Sequence, residues 1–135
     1  MLRGRATPDP SADPAKRSDY WGVVLGAPDP QVLGTFYAAV LGWEIKGDEP
    51  NWVTLYPGEG VAYLAIQREP DYVPPVWPGA PGQQQMMSHL DIEVQDLKAA
   101  VEHAVELGAV VAGFQPQDNV RVMLDPAGHP FCLYS

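Results

Sequence analysis

The residues best suited to chemistry lie between Met86 and Val94, in the run Met-Met-Ser-His-Leu-Asp-Ile-Glu-Val. At a period of two, Leu90, Ile92 and Val94 share one face, while His89, Asp91 and Glu93 share the other. This pattern predicts a strand with a dry back and a polar front. Its front presents the imidazole of His89, the best candidate ligand in the chain. An imidazole in that setting serves as a metal ligand, as a general base, or as a hydrogen-bonded pocket wall. Asp91 points the same way, and either joins as a ligand or orients the ring. Asp96 follows as a helix N-cap, so the strand delivers the chain directly into a helix.

The elements that must position this strand occur twice. A first strand spans Tyr20 to Gly26, with Trp21, Val23 and Leu25 on one face and Gly22 and Val24 on the other. Asp29 then caps a helix that has Pro30 in its first position, where the missing N–H costs nothing. Val32, Leu33, Phe36, Tyr37, Val40 and Leu41 recur at three and four, and Gly42 ends the helix. Three strands follow at Trp43 to Lys46, Asn51 to Tyr56 and Val61 to Arg68. The turns Gly47-Asp48-Glu49-Pro50 and Pro57-Gly58-Glu59-Gly60 separate them, so an antiparallel meander is expected. After the Met87 to Val94 strand, the second helix carries Leu97, Ala100, Val101, Ala104 and Leu107 on its apolar face and ends at Gly108. Strands at Val110 to Phe114, Asn119 to Leu124 and Pro130 to Tyr134 complete the copy, the last two joined by the turn Asp125-Pro126-Ala127-Gly128. Asp29 and Asp96 are 67 residues apart, and Gly42 and Gly108 are 66 apart. The chain therefore reads as an internal repeat of strand, helix and three strands. An α+β fold follows, with eight strands, and with one helix covering one face of each four-stranded sheet.

Between the copies, Glu69 to Gln85 holds Pro70, Pro74, Pro75, Pro78 and Pro81 together with Tyr72 and Trp77. So much proline forbids ladder hydrogen bonding and predicts an extended connection. Residues 1–18 show no helix or strand period and read as a disordered arm. The domain then covers 19–135, as modules 19–68 and 86–135 joined by the linker 69–85. A chain of 135 residues with a net charge of −9 is one domain whose acidic surface repels phosphate backbones and anionic lipid. Nucleic-acid and membrane partners are accordingly not expected. The start of the chain has no apolar stretch resembling a secretory signal, and the single Cys132 has no intramolecular disulfide partner. These features lead to the expectation of a cytoplasmic protein.

The order βαβββ–βαβββ, with Phe36-Tyr37 in the first helix, Leu41-Gly42-Trp43 after it and Asp125-Pro126-Ala127-Gly128-His129 near the end, resembles the vicinal oxygen chelate superfamily. That group contains glyoxalase I, the bleomycin-resistance proteins and the extradiol dioxygenases. The tracts Pro74-Pro75-Val76-Trp77-Pro78, His89-Leu90-Asp91 and Gly128-His129-Pro130-Phe131-Cys132-Leu133 are most similar to its glyoxalase-like branch. The resemblance covers about Tyr20 to Tyr134. It implies eight strands forming an open cup with two helices outside, and a homodimer whose pockets are lined by both subunits.

The resemblance also implies four metal-ligand slots in the cup, which here hold Gly22, Gln67, His89 and Cys132. Glycine offers no ligand, and Cys132 stands where carboxylate is usual. Of Gln67, His89 and Cys132, zinc would accept the imidazole and the thiolate, whereas iron(II) or manganese prefers a carboxylate. No metal is therefore expected; a divalent zinc, nickel, iron or manganese ion is the alternative. Alternation from Gln67 puts Tyr63 and Ala65 on the cup face, with Trp52, Thr54 and Tyr56 as a second row and Arg121 and Met123 as a third. This is an aromatic lining with a few directed polar groups. Three readings follow. One is a metal-free cup that sequesters an aromatic or cationic molecule, with cation–π contacts from Trp52, Tyr56 or Tyr63. The second is a metal-dependent lyase, isomerase or dioxygenase of the glyoxalase type. In the third, a metal-free enzyme uses His89 as general base and Arg121 to steady an enolate.

Overall fold

The computed structural model describes residues 20–135, and the expected arm lies outside the described residues. The first module runs β1 (Trp21–Ala27), α1 (Pro30–Leu41), β2 (Glu44–Glu49), β3 (Trp52–Tyr56) and β4 (Ala62–Arg68). The second runs β5 (Asp91–Glu93), α2 (Leu97–Glu106), β6 (Val110–Val111), β7 (Val120–Leu124) and β8 (Pro130–Tyr134). The sheets have the orders β1-β4-β3-β2 and β5-β8-β7-β6, so the repeat read from the sequence is a repeat of topology. In each, the crossover helix lets the first strand pair in parallel with the last, while the other pairs are antiparallel.

The helix signals act as read. The Asp29 carboxylate accepts from the amides of Gln31 and Val32 at 3.1 Å, and Gly42 closes α1 at φ +65°. Asp96 accepts from Ala99 N–H at 3.0 Å. Gly34 lets α1 lie against β3, because a Cβ there would stand 2.6 Å from Cγ1 of Val53.

Several boundaries differ from expectation, each for a physical reason. β2 does not stop at Lys46: a register shift between Ile45 and Gly47 absorbs one residue, and the strand continues to Glu49 opposite Trp52. β5 is shorter than Met87 to Val94. Its parallel partner β8 begins at Pro130, which has no N–H to extend the ladder towards His89. β6 stops at Val111 because the side chain of Gln115 takes over the edge of β7. Its amide donates to the carbonyls of Ala112 and Val122 (2.9 and 2.8 Å) and accepts from Val122 N–H (2.8 Å). The linker is folded, not a plain extended crossing. Val76 N–H donates to the Gln84 carbonyl at 3.0 Å, and the Trp77 indole donates to the Phe114 carbonyl at 3.1 Å.

One core serves both modules. Val53, Leu55, Leu64 and Ile66 face α1, and Met123, Phe131 and Leu133 belong to the same buried cluster as Leu33 and Phe36. The modules meet where Phe36, Tyr37 and Phe131 pack edge-to-face, with centroids 5.0–5.9 Å apart. Beneath them lies Asp125, only 4% exposed, which accepts from the Tyr37 hydroxyl at 2.8 Å. The same carboxylate accepts from the amides of Ala127 and His129 (2.9 and 3.0 Å) and lies 2.8 Å from Nδ1 of His129. Nε2 of that ring lies 3.2 Å from the hydroxyl of linker residue Tyr72, which donates to the Ala127 carbonyl at 2.8 Å. Burial, then the charge of Asp125, raises both phenols far above their ordinary range, so they stay protonated.

Removing a donor to a buried carboxylate leaves charge without compensation. Tyr37→Phe is therefore expected to lower unfolding free energy by about 1.5–3 kcal/mol, read from urea denaturation, with the fold retained. A loss below about 0.5 kcal/mol, the scale of an ordinary surface substitution, would show that Asp125 does not depend on this bond.

Candidate ligand-binding faces

Each sheet has one face turned to the core and one left open, and strand register decides which side chains meet on the open one. In the first module, β1 and β4 set Gly22 beside Tyr63, Val24 beside Ala65 and Gly26 beside Gln67. β3 adds Trp52 beside Gln67 and Thr54 beside Ala65, and β2 sets Glu44 beside Tyr56. Trp52, Thr54, Tyr56, Tyr63 and Gln67 therefore share a face, as expected. Tyr56 and Tyr63 have ring centroids 5.9 Å apart, and Tyr20 meets Tyr56 edge-on at 5.8 Å. The Trp52 indole donates to Oγ1 of Thr54 at 2.8 Å, and the Gln67 amide to Glu69 at 2.8 Å.

Gly22 is explained by its neighbour. The Tyr63 ring covers it so closely that an added Cβ would sit 2.5 Å from two ring carbons. A liganding side chain there would have to displace the ring.

The second module brings His89, Asp91 and Cys132 together. Nε2 of His89 lies 3.3 Å from Oδ1 of Asp91, and the ligand atoms of all three fall within 4.8 Å of one another. Burial, and next the Asp91 carboxylate with its hydrogen bond, pushes the Cys132 thiol up to about 11. At neutral pH the sulfur is protonated and is a poor nucleophile. These residues line a cleft of about 240 Å³ with Gln117, Asn119, Val120 and Tyr134. Behind His89 and Cys132 an apolar recess of about 30 Å³ is closed by Trp77, Met86, Val122 and Pro130.

Two expected cup residues are placed elsewhere. Arg121 and Met123 pair with Leu133 and Phe131 on the core side of the sheet, and Met123 is fully buried. Nη1 of Arg121 is turned onto the carbonyls of Gln117, Asp118 and Val120, at 2.9–3.3 Å. It does not join His89, so the arrangement for steadying an enolate is absent among the described residues. The open face of β7 instead carries Val120 and Val122, one residue out of step with the expectation. Both faces of this strand are largely apolar, which leaves alternation without a phase to read.

Tyr20, Glu44, Trp77, Met86 and Tyr134 also line openings on these faces and are not among the expected cup residues. A signal existed for two of them. Tyr20 is two residues before Gly22 and so shares its face, and a lone Trp among prolines needs a partner for its indole.

The four slots do not fit the superfamily's metal set. The first holds Gly22 under a ring, and Gln67, on the same sheet as Gly22 and not on that of His89, donates to Glu69. Only His89 and Cys132 stand together, with Asp91 as an added oxygen donor.

Comparison with known proteins agrees with this architecture. A possible glyoxalase from Bacillus cereus superposes with a TM-score of 0.61 at 12% identity, covering 88% of this chain and all of the other. A glyoxalase/bleomycin resistance protein/dioxygenase family enzyme from Burkholderia phytofirmans gives 0.61 at 16% identity, covering 83% and 94%. TnmS3, an antibiotic binding protein from a Streptomyces species, gives 0.56 at 19% identity, covering 88% and 96%. At these identities the likeness is one of fold. No curated protein matches the sequence. The family model described as "Glyoxalase-like domain" matches residues 22–134, and the chain belongs to that family, within the vicinal oxygen chelate superfamily.

Proposed function

We propose that this protein binds a small aromatic or cationic molecule without a metal, in a cup completed by a second copy of the chain. The observation that carries the reading is the Tyr63 ring lying over Gly22. Where the superfamily's pattern calls for a metal ligand, this chain builds aromatic surface continuous with Tyr56 and Tyr20. Such a surface suits the flat or cationic part of a ligand. The charge agrees: Lys46, Arg68, Lys98 and Arg121 are the only Lys or Arg after residue 19, against fourteen Asp and Glu. The fold is shared with an antibiotic binding protein, which makes sequestration a fitting role. A protein acting in the cytoplasm is part of this proposal; no helix among the described residues is long and apolar enough to cross a membrane.

A second reading, a metal-dependent lyase, isomerase or dioxygenase, is favoured by the His89, Asp91 and Cys132 cluster. One nitrogen, one oxygen and one sulfur donor match zinc better than iron(II) or manganese. Elemental analysis separates the two. We expect no stoichiometric divalent ion after mild purification. About one equivalent of zinc, nickel or iron, lost in His89→Ala, would replace the first reading with the second.

The dimer is proposed from exposed surface. β1 is an edge strand with Trp21 58% exposed on one face and Val24 43% exposed on the other. Apolar side chains on both faces of a free edge call for a partner. A twofold pairing would set Gly22 and Gln67 of one chain opposite His89 and Cys132 of the other. Light scattering at micromolar concentration should then report about twice the 14.7 kDa chain mass. A monomer at that concentration would remove the shared cup.

A further inference from the structure

We propose that the corner between Tyr20 and Tyr56 on the first module is a subsite for an alkylated ammonium group. This deepens the small-molecule reading and rests on it. The corner opens into a cavity of about 400 Å³ lined by Tyr20, Glu44, Lys46, Tyr56, Pro57 and Glu59, with Gly58 and Gly60. The two rings stand at 83° with centroids 5.8 Å apart, an edge-to-face contact, and both line the cavity, so a group seated beside the pair packs against the free face of the ring whose edge makes that contact. A ring face is the negative part of the aromatic quadrupole and attracts a cation.

The carboxylates come from the backbone around the rings. Register sets Glu44 beside Tyr56 on the open face. Glu59 is held between Gly58 and Gly60, whose φ values of +95° and +83° shape the turn that follows β3. Lys46 lies 2.7 Å from Glu44, with both side chains more than half exposed, so this is a solvated ion pair. Among the described residues lining the cavity, one negative charge in excess remains. An anion would be repelled there, and a neutral molecule would gain nothing from the carboxylate.

The alkylated class follows from the lining. The tyrosine pair and Pro57 give apolar contact on several sides, which suits methyl groups spreading a single positive charge. A small metal ion wants a shell of oxygen ligands instead. Tyr56 also touches Tyr63 at 5.9 Å, so a cationic head in this corner would leave the rest of a ligand running along the aromatic face.

The probes are choline and 3,3-dimethylbutan-1-ol, its uncharged carbon isostere, titrated calorimetrically into the full chain. Choline is expected to bind saturably and about tenfold or more tighter than the isostere. Tyr56→Leu and Glu59→Gln should each weaken choline by about three- to tenfold. Tyr56→Phe, which keeps the ring, should retain most of the affinity, and Glu102→Gln, on the exposed side of α2, should not change it. Circular dichroism shows whether each variant folds. Equal affinity for the two probes, no saturable binding of choline, or undiminished affinity in both Tyr56→Leu and Glu59→Gln would overturn the subsite. Titration with 2-naphthol, followed by Trp52 quenching and its loss in Trp52→Leu, tells the two ideas apart. Binding of 2-naphthol without choline leaves the cup reading standing and removes the subsite, whereas binding of neither removes both.

Discussion

The carboxylate of Asp125 ties the three parts of the chain together. It accepts from Tyr37 on the helix of the first module, from the amides of its own turn in the second, and from His129, which is in reach of Tyr72 in the linker. A buried carboxylate costs several kcal/mol unless its lone pairs are satisfied, and here they are satisfied by groups up to 88 residues away. The constraint is mutual. The turn keeps its shape because the charge needs its amides, and the modules keep their contact because the charge needs the phenol. Phe36, Tyr37 and Phe131 then close an apolar lid over the network, joining the helix-covered sides of the modules into one core.

That common core determines what is left for function. With the helix sides of both sheets committed to packing, the other faces stay open, and the side chains on them are free of the core's volume constraints. The first sheet uses this freedom for aromatic surface, the second for His89, Asp91 and Cys132. The linker contributes more than a connection. Anchored at Tyr72 and again by the Trp77 indole, it places Trp77 and Met86 against the apolar recess behind His89. A tract that proline excludes from sheet pairing thus becomes a wall of a pocket.

Much of this was legible in the sequence, because its signals were local and physical. Asp29 with Pro30, Asp96, and Gly42 marked helix ends through capping, and the 67-residue spacing of the two caps exposed the repeat. On β3 and β4 a clear alternation of apolar with aromatic or polar residues gave the correct open face. On β7 it failed, since Val120, Val122 and Leu124 are as apolar as Met123, and only the partner strand reveals which row is buried. The linker's fold was illegible for another reason: its contacts are with Phe114, Ala127 and His129, remote in sequence. The asymmetry at Gly22 could be noticed in the sequence, but its cause, a ring packed on the glycine, required the register of β1 against β4.

Whether the two open faces meet across chains is tested most directly by pulsed dipolar spectroscopy on mixed, singly spin-labelled chains. One population carries a label at Gln67→Cys and the other at His89→Cys, both with Cys132→Ser, and samples of each alone supply the background. A shared cup predicts a short interchain distance that appears only in the mixture, as for two walls of one pocket. A distance comparable to the width of the molecule, or no coupling beyond the background, would contradict it.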